Sequence, residues 1–568
     1  MKEVVIMSPL TPEMIARRPW LSKLDPDVPP TVNYPYFPAH ELLRISANVE
    51  PDKAATYFYG AEITFWELQL IVIRMANGLI GAGIKKGDRI GLMLPNCPQF
   101  VITFWALLHA GAIVVNLNPM FTADDLMKIV QKTEMSGIIC FDAVLPVVRK
   151  VRESCDIPFV MVTRVTDFAP GAPVSTAEEL GLDPGCYHYS EFLANSTNEV
   201  PPGLDIVHSD PAVIQFTTGT TGNPKGATLT HRNLVTAAYS VNLWAGSILN
   251  MIPVPRRTVF CVLPYFHVYG EICCLCYGVI SRSTQIILPR FEIEEVMNTL
   301  ALFPEITYFP AVPTMITAVL NHPRAKELDL GKKFGVFNSG AAPCPPELLK
   351  KAREMNIFVA EGWGMSETTS LGITNPYIGR KKDGSIGIPY PDNDIRIVDP
   401  NTGEDLPAYE RGEIVMRSPL VMQGYWNDPE ETAKVLKDGW LYTGDIAYRD
   451  DDWYIFIVDR SKDIIISGGY NIYPRDIDDV LIKHPKVKDV ITVGVPDEYL
   501  GEKVKAFVQL VEDGAVSEEE LITYCKEHLA AYKVPRSIEF RPELPRTGVG
   551  KALRRILRDQ DMAARGNK

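Results

Sequence analysis

Residues 217–226 read Thr-Thr-Gly-Thr-Thr-Gly-Asn-Pro-Lys-Gly, which places four hydroxyls, three glycines and one lysine within ten positions. Glycines let backbone N–H groups close on an anion, and hydroxyls and an ammonium add further donors. That is chemistry for holding a polyphosphate. The candidate contacts are Thr217, Thr218, Gly219, Thr220, Thr221, Gly222 and Lys225. The pattern is not the common P-loop, which needs Gly-Lys-Ser/Thr opening a helix. Here Pro224 precedes Lys225 and Gly226 follows it. Apolar Ala212, Val213 and Ile214 just upstream predict a strand feeding the loop. A flexible polar loop is the plain alternative, and a lysine embedded among glycines argues against it.

Other blocks downstream could serve the same chemistry. Gly340, Ala341 and Ala342 carry little side chain, so a flat ring can lie against their backbone. Gly362-Trp363-Gly364-Met365-Ser366-Glu367 offers an aromatic plate and a hard oxygen ligand. Asp445 closes Tyr442-Thr443-Gly444-Asp445, where an isolated Asp is ordinarily an Asx-turn residue. Asp459-Arg460-Ser461-Lys462-Asp463 and Ser467-Gly468-Gly469 follow. Pro545-Arg546-Thr547-Gly548-Val549-Gly550-Lys551 sets a long-stemmed cation on a glycine loop. Earlier, Pro264-Tyr265-Phe266-His267-Val268-Tyr269-Gly270 puts an imidazole before the apolar stretch 272–280. That stretch suits a hydrophobic pocket and equally an ordinary core helix.

In this order the blocks resemble the core motifs of the adenylate-forming superfamily: acyl-CoA synthetases, luciferases and carrier-protein adenylation domains. The resemblance spans most of the chain. It implies that ATP converts a carboxylate to acyl-AMP with pyrophosphate release, and that the CoA thiolate then displaces AMP. It implies that residues 217–226 hold the β- and γ-phosphates. Glu367 is then the Mg2+ ligand with Thr218 as a second. Gly340, Ala341, Ala342, Trp363, Gly364, Met365 and Ser366 line the nucleotide, with Trp363 standing where the superfamily usually has tyrosine. Asp445 takes the ribose hydroxyls and Arg460 a second ribose or phosphate contact. Lys551 is the adenylation lysine, Lys462 the hinge, and Ser467, Gly468 and Gly469 the passage for CoA. His267, Tyr269 and Gly270 wall the acyl pocket, with His267 beside the carboxylate.

The branch resembled most is that of bacterial medium- to long-chain fatty acyl-CoA synthetases, on Asp88-Arg89-Ile90, Leu94-Pro95-Asn96-Cys97-Pro98 and Phe266-His267-Val268-Tyr269-Gly270. A CoA ligase for an aromatic or alicyclic acid shares every motif and stays open, as does a free-standing enzyme loading a carrier protein. A nucleotide-binding regulator without activity is disfavoured by Lys551, Glu367 and Asp445 occurring together.

The elements that must position these residues fit that expectation. At 568 residues the chain exceeds one domain. Helical spacing at 65–80 and 100–112 alternates with buried strands at 88–94 and 113–115, which predicts an α/β fold with parallel-rich sheets. Residues 385–457 read as a small β subdomain, and strands at 489–495 and 503–510 alternate with helices at 474–484 and 517–528 in a small α+β C-terminal domain. With the hinge at Lys462, the resemblance divides the chain into residues 1–461 and a mobile 462–568. Residues 1–34 are Pro-rich and read as a surface extension, and 167–207 as an insertion or connector.

A net charge of −13 argues against nucleic acid as a partner. Ten scattered cysteines without a metal-ligand spacing read as reduced, buried thiols in a cytoplasmic protein. The run 101–115 is too short to span a membrane, which leaves peripheral contact open for a lipid substrate. Monomer and homodimer both stay open. Glu271 is unexpected before an apolar run. It reads as a first-turn glutamate at a wet helix edge, or as a charge at the mouth of the acyl pocket that would repel dicarboxylic acids.

Overall fold

The computed structural model describes residues 12–217, 224–468, 470–497, 499–547 and 550–566. The chain packs into two compact units. The first comprises Met1–Asp394 with Arg417–Gly439, the second Ile395–Met416 with Trp440–Lys568. The strands of residues 395–416 and 440–460 therefore pack with the C-terminal segment.

The first unit holds two large sheets. In one, the strands Val359–Trp363, Phe334–Ser339, Ile306–Ala311, Thr258–Cys261, Thr284–Ile287 and Ala54–Phe58 lie side by side and all parallel, with antiparallel strands at both edges. In the other, Arg89–Met93 lies between Ile113–Asn116 and Gly137–Phe141, and Pro211–Thr217 pairs with Ile113–Asn116, again in parallel. Parallel strands need helical crossovers that cover both faces, and their buried positions explain the near-continuous apolar strands of the sequence.

Local signals set the helix ends. The helix Phe65–Gly81 starts at Thr64, whose hydroxyl accepts the Glu67 N–H while the Glu67 carboxylate accepts the Thr64 N–H. The helix predicted at 100–112 is Pro98–His109; Pro98 fits the first turn and Gly111, at φ +69°, follows its end. The helix His231–Trp244 is capped reciprocally by Thr230 and Asn233. Asn233 also donates to the carbonyls of Pro419 and Val421, which ties residues 417–439 to this unit.

The N-terminal residues are more than a surface extension. Trp20 and Leu21 are buried, and the buried Asp25 carboxylate accepts the backbone N–H groups of Tyr377, Ile378 and Gly379 at 2.6, 3.0 and 2.6 Å. Removing that acceptor strands three donors, and one unsatisfied buried group costs about 1–3 kcal/mol. Asp25→Ala is expected to lower the urea midpoint of the first unit by at least that equivalent; an unchanged midpoint would show that water replaces the carboxylate.

The strands Asp394–Val398, Gly412–Arg417, Trp440–Arg449 and Ile455–Arg460, which apart from the end residues Asp394 and Arg417 belong to the second unit, share one sheet. The long hairpin Val487–Asp497 and Gly501–Leu510 dominates the other, with Ser537–Phe540 added in parallel. The helices Pro474–Leu481 and Glu518–His528 pack around a core that includes Ile477, Leu481, Val504, Val508 and Leu521. All ten cysteines are free, and only Cys155 and Cys186 are partly exposed. Among the described residues no helix is long and apolar enough to cross a membrane.

Candidate functional site

The hydroxyl- and glycine-rich run begins and ends on paired strands. Thr217 closes Pro211–Thr217, Lys225 opens Lys225–Thr230, and the two residues are register partners. Thr218, Gly219, Thr220, Thr221 and Gly222 lie outside the described residues, as does Gly469. The Lys225 ammonium pairs with Glu431 and lies 5.3 Å from the Tyr425 ring centroid. Lys225 and then Lys434 hold the Glu431 carboxyl down to about 2.

Tyr425 brings a distant motif to the same place. Its strand Gly424–Tyr425 pairs antiparallel with Lys225–Thr230, and its hydroxyl donates to Glu367 Oε1 at 2.7 Å. The Met422 N–H donates to the Glu367 carbonyl at 2.8 Å. Glu367 is thus buried and oriented within reach of the strand that Lys225 opens. Neither Tyr425 nor Glu431 was marked by any local motif. The loop carrying Glu367 curls tightly after Gly364: Met365 N–H donates to Thr368 Oγ1, and Thr369 and Ser370 take positive φ of 49° and 73°. The Trp363 ring lies against Gly372, where a Cβ would come within 2.6 Å of it.

The strand Phe334–Ser339 delivers Gly340, Ala341 and Ala342 beside the His267 segment. Tyr269 is buried, and its hydroxyl lies 2.8 Å from the Asn338 carbonyl and 2.9 Å from Asn338 Oδ1. A Cβ on Gly340 would lie 3.1 Å from the Tyr269 ring. Ala341 has φ +67°, a left-handed conformation uncommon for alanine, and Glu361 secures the following loop by accepting the Cys344 N–H. His267 Nδ1 accepts the Tyr269 N–H at 3.2 Å, which leaves Nε2 as the protonated nitrogen of a neutral ring. Gly270 packs on the Pro264 carbonyl, 2.1 Å from where a Cβ would stand.

Glu271 is neither at a wet edge nor at a pocket mouth. It opens a π-helical segment, Glu271–Cys276, and is fully buried against Asn116. Burial pushes its carboxyl up to about 8, with the Asn116 hydrogen bond pulling the other way. Cys273, Cys274 and Cys276 are buried on the same segment.

The second unit holds its own cluster. Asp445 and Arg460 are register partners on adjacent antiparallel strands, and Arg460 Nε lies 3.1 Å from Asp445 Oδ1. Thr443 accepts the Asp445 N–H and donates to the Ile414 carbonyl, fixing the turn. Lys551 is partly buried. Its N–H donates to Thr547 Oγ1, and its carbonyl accepts the Thr547 N–H. Arg546 anchors this loop to Asp489 through two nitrogens at 2.8 and 2.6 Å. Burial lowers the Lys551 ammonium to about 8, aided by Arg460 and Lys462, while Asp445 and Asp463 partly offset them.

Lys462 is exposed in the single turn Ser461–Asp463. Ser467 ends Ile465–Ser467 and pairs with Tyr470, with Gly468 at φ +57° in the tight turn. Arg554 follows Lys551 by three positions and is held by carboxylates. It meets Asp478 at 2.8 Å, Asp459 at 3.8 Å and Asp463 at 3.9 Å.

Residues 43–426 match the AMP-binding enzyme family, and residues 476–551 match the AMP-binding enzyme C-terminal domain. The chain is 37% identical to a long-chain-fatty-acid–CoA ligase of Bacillus subtilis over 560 residues, covering 96% of this chain and 99% of that one. It superimposes on the anthranilate CoA ligase AuaEII in complex with anthranoyl-AMP with a TM-score of 0.82 at 26% identity, covering 94% and 98% of the two chains. It superimposes on ATP-bound MatB from Rhodopseudomonas palustris with a TM-score of 0.80 at 27% identity, covering 92% and 99%. With residues 43–426 and 476–551 matched and a relative 37% identical over nearly the full length, the chain belongs to the AMP-binding enzymes, the adenylate-forming family.

Proposed function

We propose that this protein joins a medium- or long-chain fatty acid to CoA at the expense of ATP, through an acyl-AMP intermediate. The observation that carries the reading is the meeting of Lys225, Tyr425 and Glu367, drawn from three distant segments, in a chain similar over 96% of its length to a long-chain-fatty-acid–CoA ligase.

In this reading Lys225 and the run 217–222 receive the β- and γ-phosphates, and polyphosphate displaces Glu431 from Lys225. Glu367 and Thr218 would hold Mg2+. The fit rests on Glu367: a buried carboxylate with one oxygen oriented by the Tyr425 hydroxyl suits a hard cation. When bound, the metal neutralises phosphate oxygens and eases departure of pyrophosphate. Gly340, Ala341, Ala342 and Trp363 take the adenine, with Gly364, Met365 and Ser366 beside it. Asp445, aligned by Arg460, takes the ribose hydroxyls. Neutral His267 donates from Nε2 to the carboxylate of the acid, and Tyr269 and Gly270 shape the pocket wall. Lys551 stabilises the charge that gathers as the carboxylate oxygen bonds to the α-phosphorus.

Lys551 gives this step a pH signature. Its ammonium is present below about 8 and lost above it. The adenylation kcat/KM for ATP is expected to fall as pH rises through that value, and saturating ATP should move the limb upward, because a bound anion favours the charged form. A profile flat to pH 10 would remove Lys551 from that role.

The second half-reaction uses Ser467, Gly468 and Gly469 as room for the CoA arm, reached by rotation at Lys462. Lys462→Pro removes an N–H and stiffens φ near −65°. It should leave acyl-AMP formation near normal and slow thioester formation; a wild-type rate of the second step would place the hinge elsewhere.

An acid-dependent pyrophosphate-release screen tests the whole reading. Medium- and long-chain acids should lead over short and aromatic ones. Aromatic acids leading would favour the second reading, which the superposition on an anthranilate CoA ligase supports. Release with thioester formed only on a carrier protein would exclude CoA as acceptor.

A further inference from the structure

Behind His267 lies a chain of buried polar side chains to which the proposed reaction gives no part. Asn116 ends the strand Ile113–Asn116 and is the register partner of Gln215, two residues before Thr217. The Asn116 amide nitrogen donates to Gln215 Oε1 at 3.0 Å and also to Glu271 Oε2. The Gln215 amide nitrogen donates to the Phe266 carbonyl at 3.0 Å. The Glu271 N–H donates to the His267 carbonyl at 2.9 Å. Both flanks of His267 are therefore fastened, through three side chains, to the strand that carries Thr217.

Such a chain is expensive to bury. Asn116, Gln215 and Glu271 are 2%, 4% and 0% exposed, and Glu271 Oε1 and Asn116 Oδ1 have no hydrogen-bond partner among the described residues. An apolar residue at 271 would continue the run Ile272, Cys273, Cys274, Leu275 without that penalty. Burial keeps the Glu271 carboxyl protonated at neutral pH, so glutamine is its close isostere. A polar link that costs stability and ends on the Phe266 and His267 carbonyls, the backbone that carries the imidazole, is better explained by placement than by folding.

We propose that Glu271, Asn116 and Gln215 are positioning residues. They hold the His267 backbone at a set distance from the strand that ends at Thr217, so that the carboxylate meets the α-phosphorus in line. There the carboxylate oxygen forms the new bond to phosphorus, and the bond to pyrophosphate breaks. The inference rests on the reading of this protein as an acid-activating enzyme.

The test compares Glu271→Gln, Glu271→Leu and Gln215→Leu in the full-length enzyme, with the acid that wild type uses best. Rates of pyrophosphate release are expressed per site counted by the single-turnover burst, which removes misfolded protein from the comparison. Misplacing a reacting group by about 1 Å can cost up to roughly 10²-fold. Both leucine variants should lose roughly 10–10²-fold in kcat with an unchanged KM for ATP, and glutamine should restore most of it. Gln215→Leu carries the test if Glu271→Leu does not fold, since Gln215 alone holds the Phe266 carbonyl within this chain. The proposal is overturned by leucine variants with wild-type kcat per site, by a loss of burst amplitude alone, or by glutamine failing as badly as leucine. A wild-type protein that releases no pyrophosphate with any acid would overturn the functional reading itself, before any variant is compared.

Discussion

Lys551→Ala is expected to abolish acyl-AMP formation while largely sparing transfer to CoA from supplied acyl-AMP. In the second unit the Lys551 side chain is partly buried beside Arg460, Lys462, Asp445 and Asp463, where burial already weakens its hold on a proton. A cation kept in such surroundings at a cost is one that an anion will take up strongly. Losing a preorganised group that meets developing negative charge costs ~2.7–4 kcal/mol, or roughly 10²–10³ in rate. The loop itself should survive the substitution, because Thr547 bonds the Lys551 backbone and Arg546 holds Asp489 without the ammonium. Pyrophosphate release and thioester formation from synthetic acyl-AMP, measured separately, check it. Equal loss in both would remove the division of labour between the half-reactions.

Gly364→Ala is expected to damage both stability and adenylation. A Cβ there would lie 1.8 Å from the Ser370 carbonyl oxygen, 2.3 Å from its carbon and 2.8 Å from Leu371 N. All three are backbone atoms, so no side chain can rotate away. The loop that carries Glu367 must move instead. Overpacking costs about 1–3 kcal/mol, and contacts this close with backbone place the variant toward the upper end. Gly81→Ala serves as the control, since nothing lies within 4 Å of its Cβ position. The urea midpoint of the first unit should drop for Gly364→Ala and hold for Gly81→Ala, and pyrophosphate release should fall only in the former. Wild-type values in both would show that the 364–370 loop yields easily.

Much of the chemistry was legible from residue types at short spacing. A lysine among glycines and hydroxyls points to a polyphosphate through its local donor set, whereas the roles proposed for Asp445 and Lys551 rest on the order of motifs shared with the adenylate-forming superfamily. Alternating apolar strands and amphipathic helices likewise announced parallel sheets, since burial on both faces leaves that imprint. The ends of the helix Phe65–Gly81 were within reach of sequence reasoning because its cap is built from neighbours, Thr64 and Glu67.

Other features were not, because their partners are remote in sequence. Tyr425, which orients Glu367, lies 58 positions away, and Glu431, which pairs Lys225, lies 206 away. Asp25 reaches 352 positions to Tyr377, so a Pro-rich start that reads as a surface extension is instead held in the core. Arg554 follows Lys551 by only three positions, yet the three aspartates that draw it inward lie 76 to 95 positions upstream. Glu271 is the sharpest case. By its neighbours it belongs at a wet helix end. Only the packing of the Glu271–Cys276 segment against Asn116 makes it a buried, protonated acid. Sequence by itself determined which groups this protein has for its chemistry and the class of fold that carries them. The tertiary structure decided which group faces which, because burial and hydrogen-bond partnership arise only when distant segments share one interior.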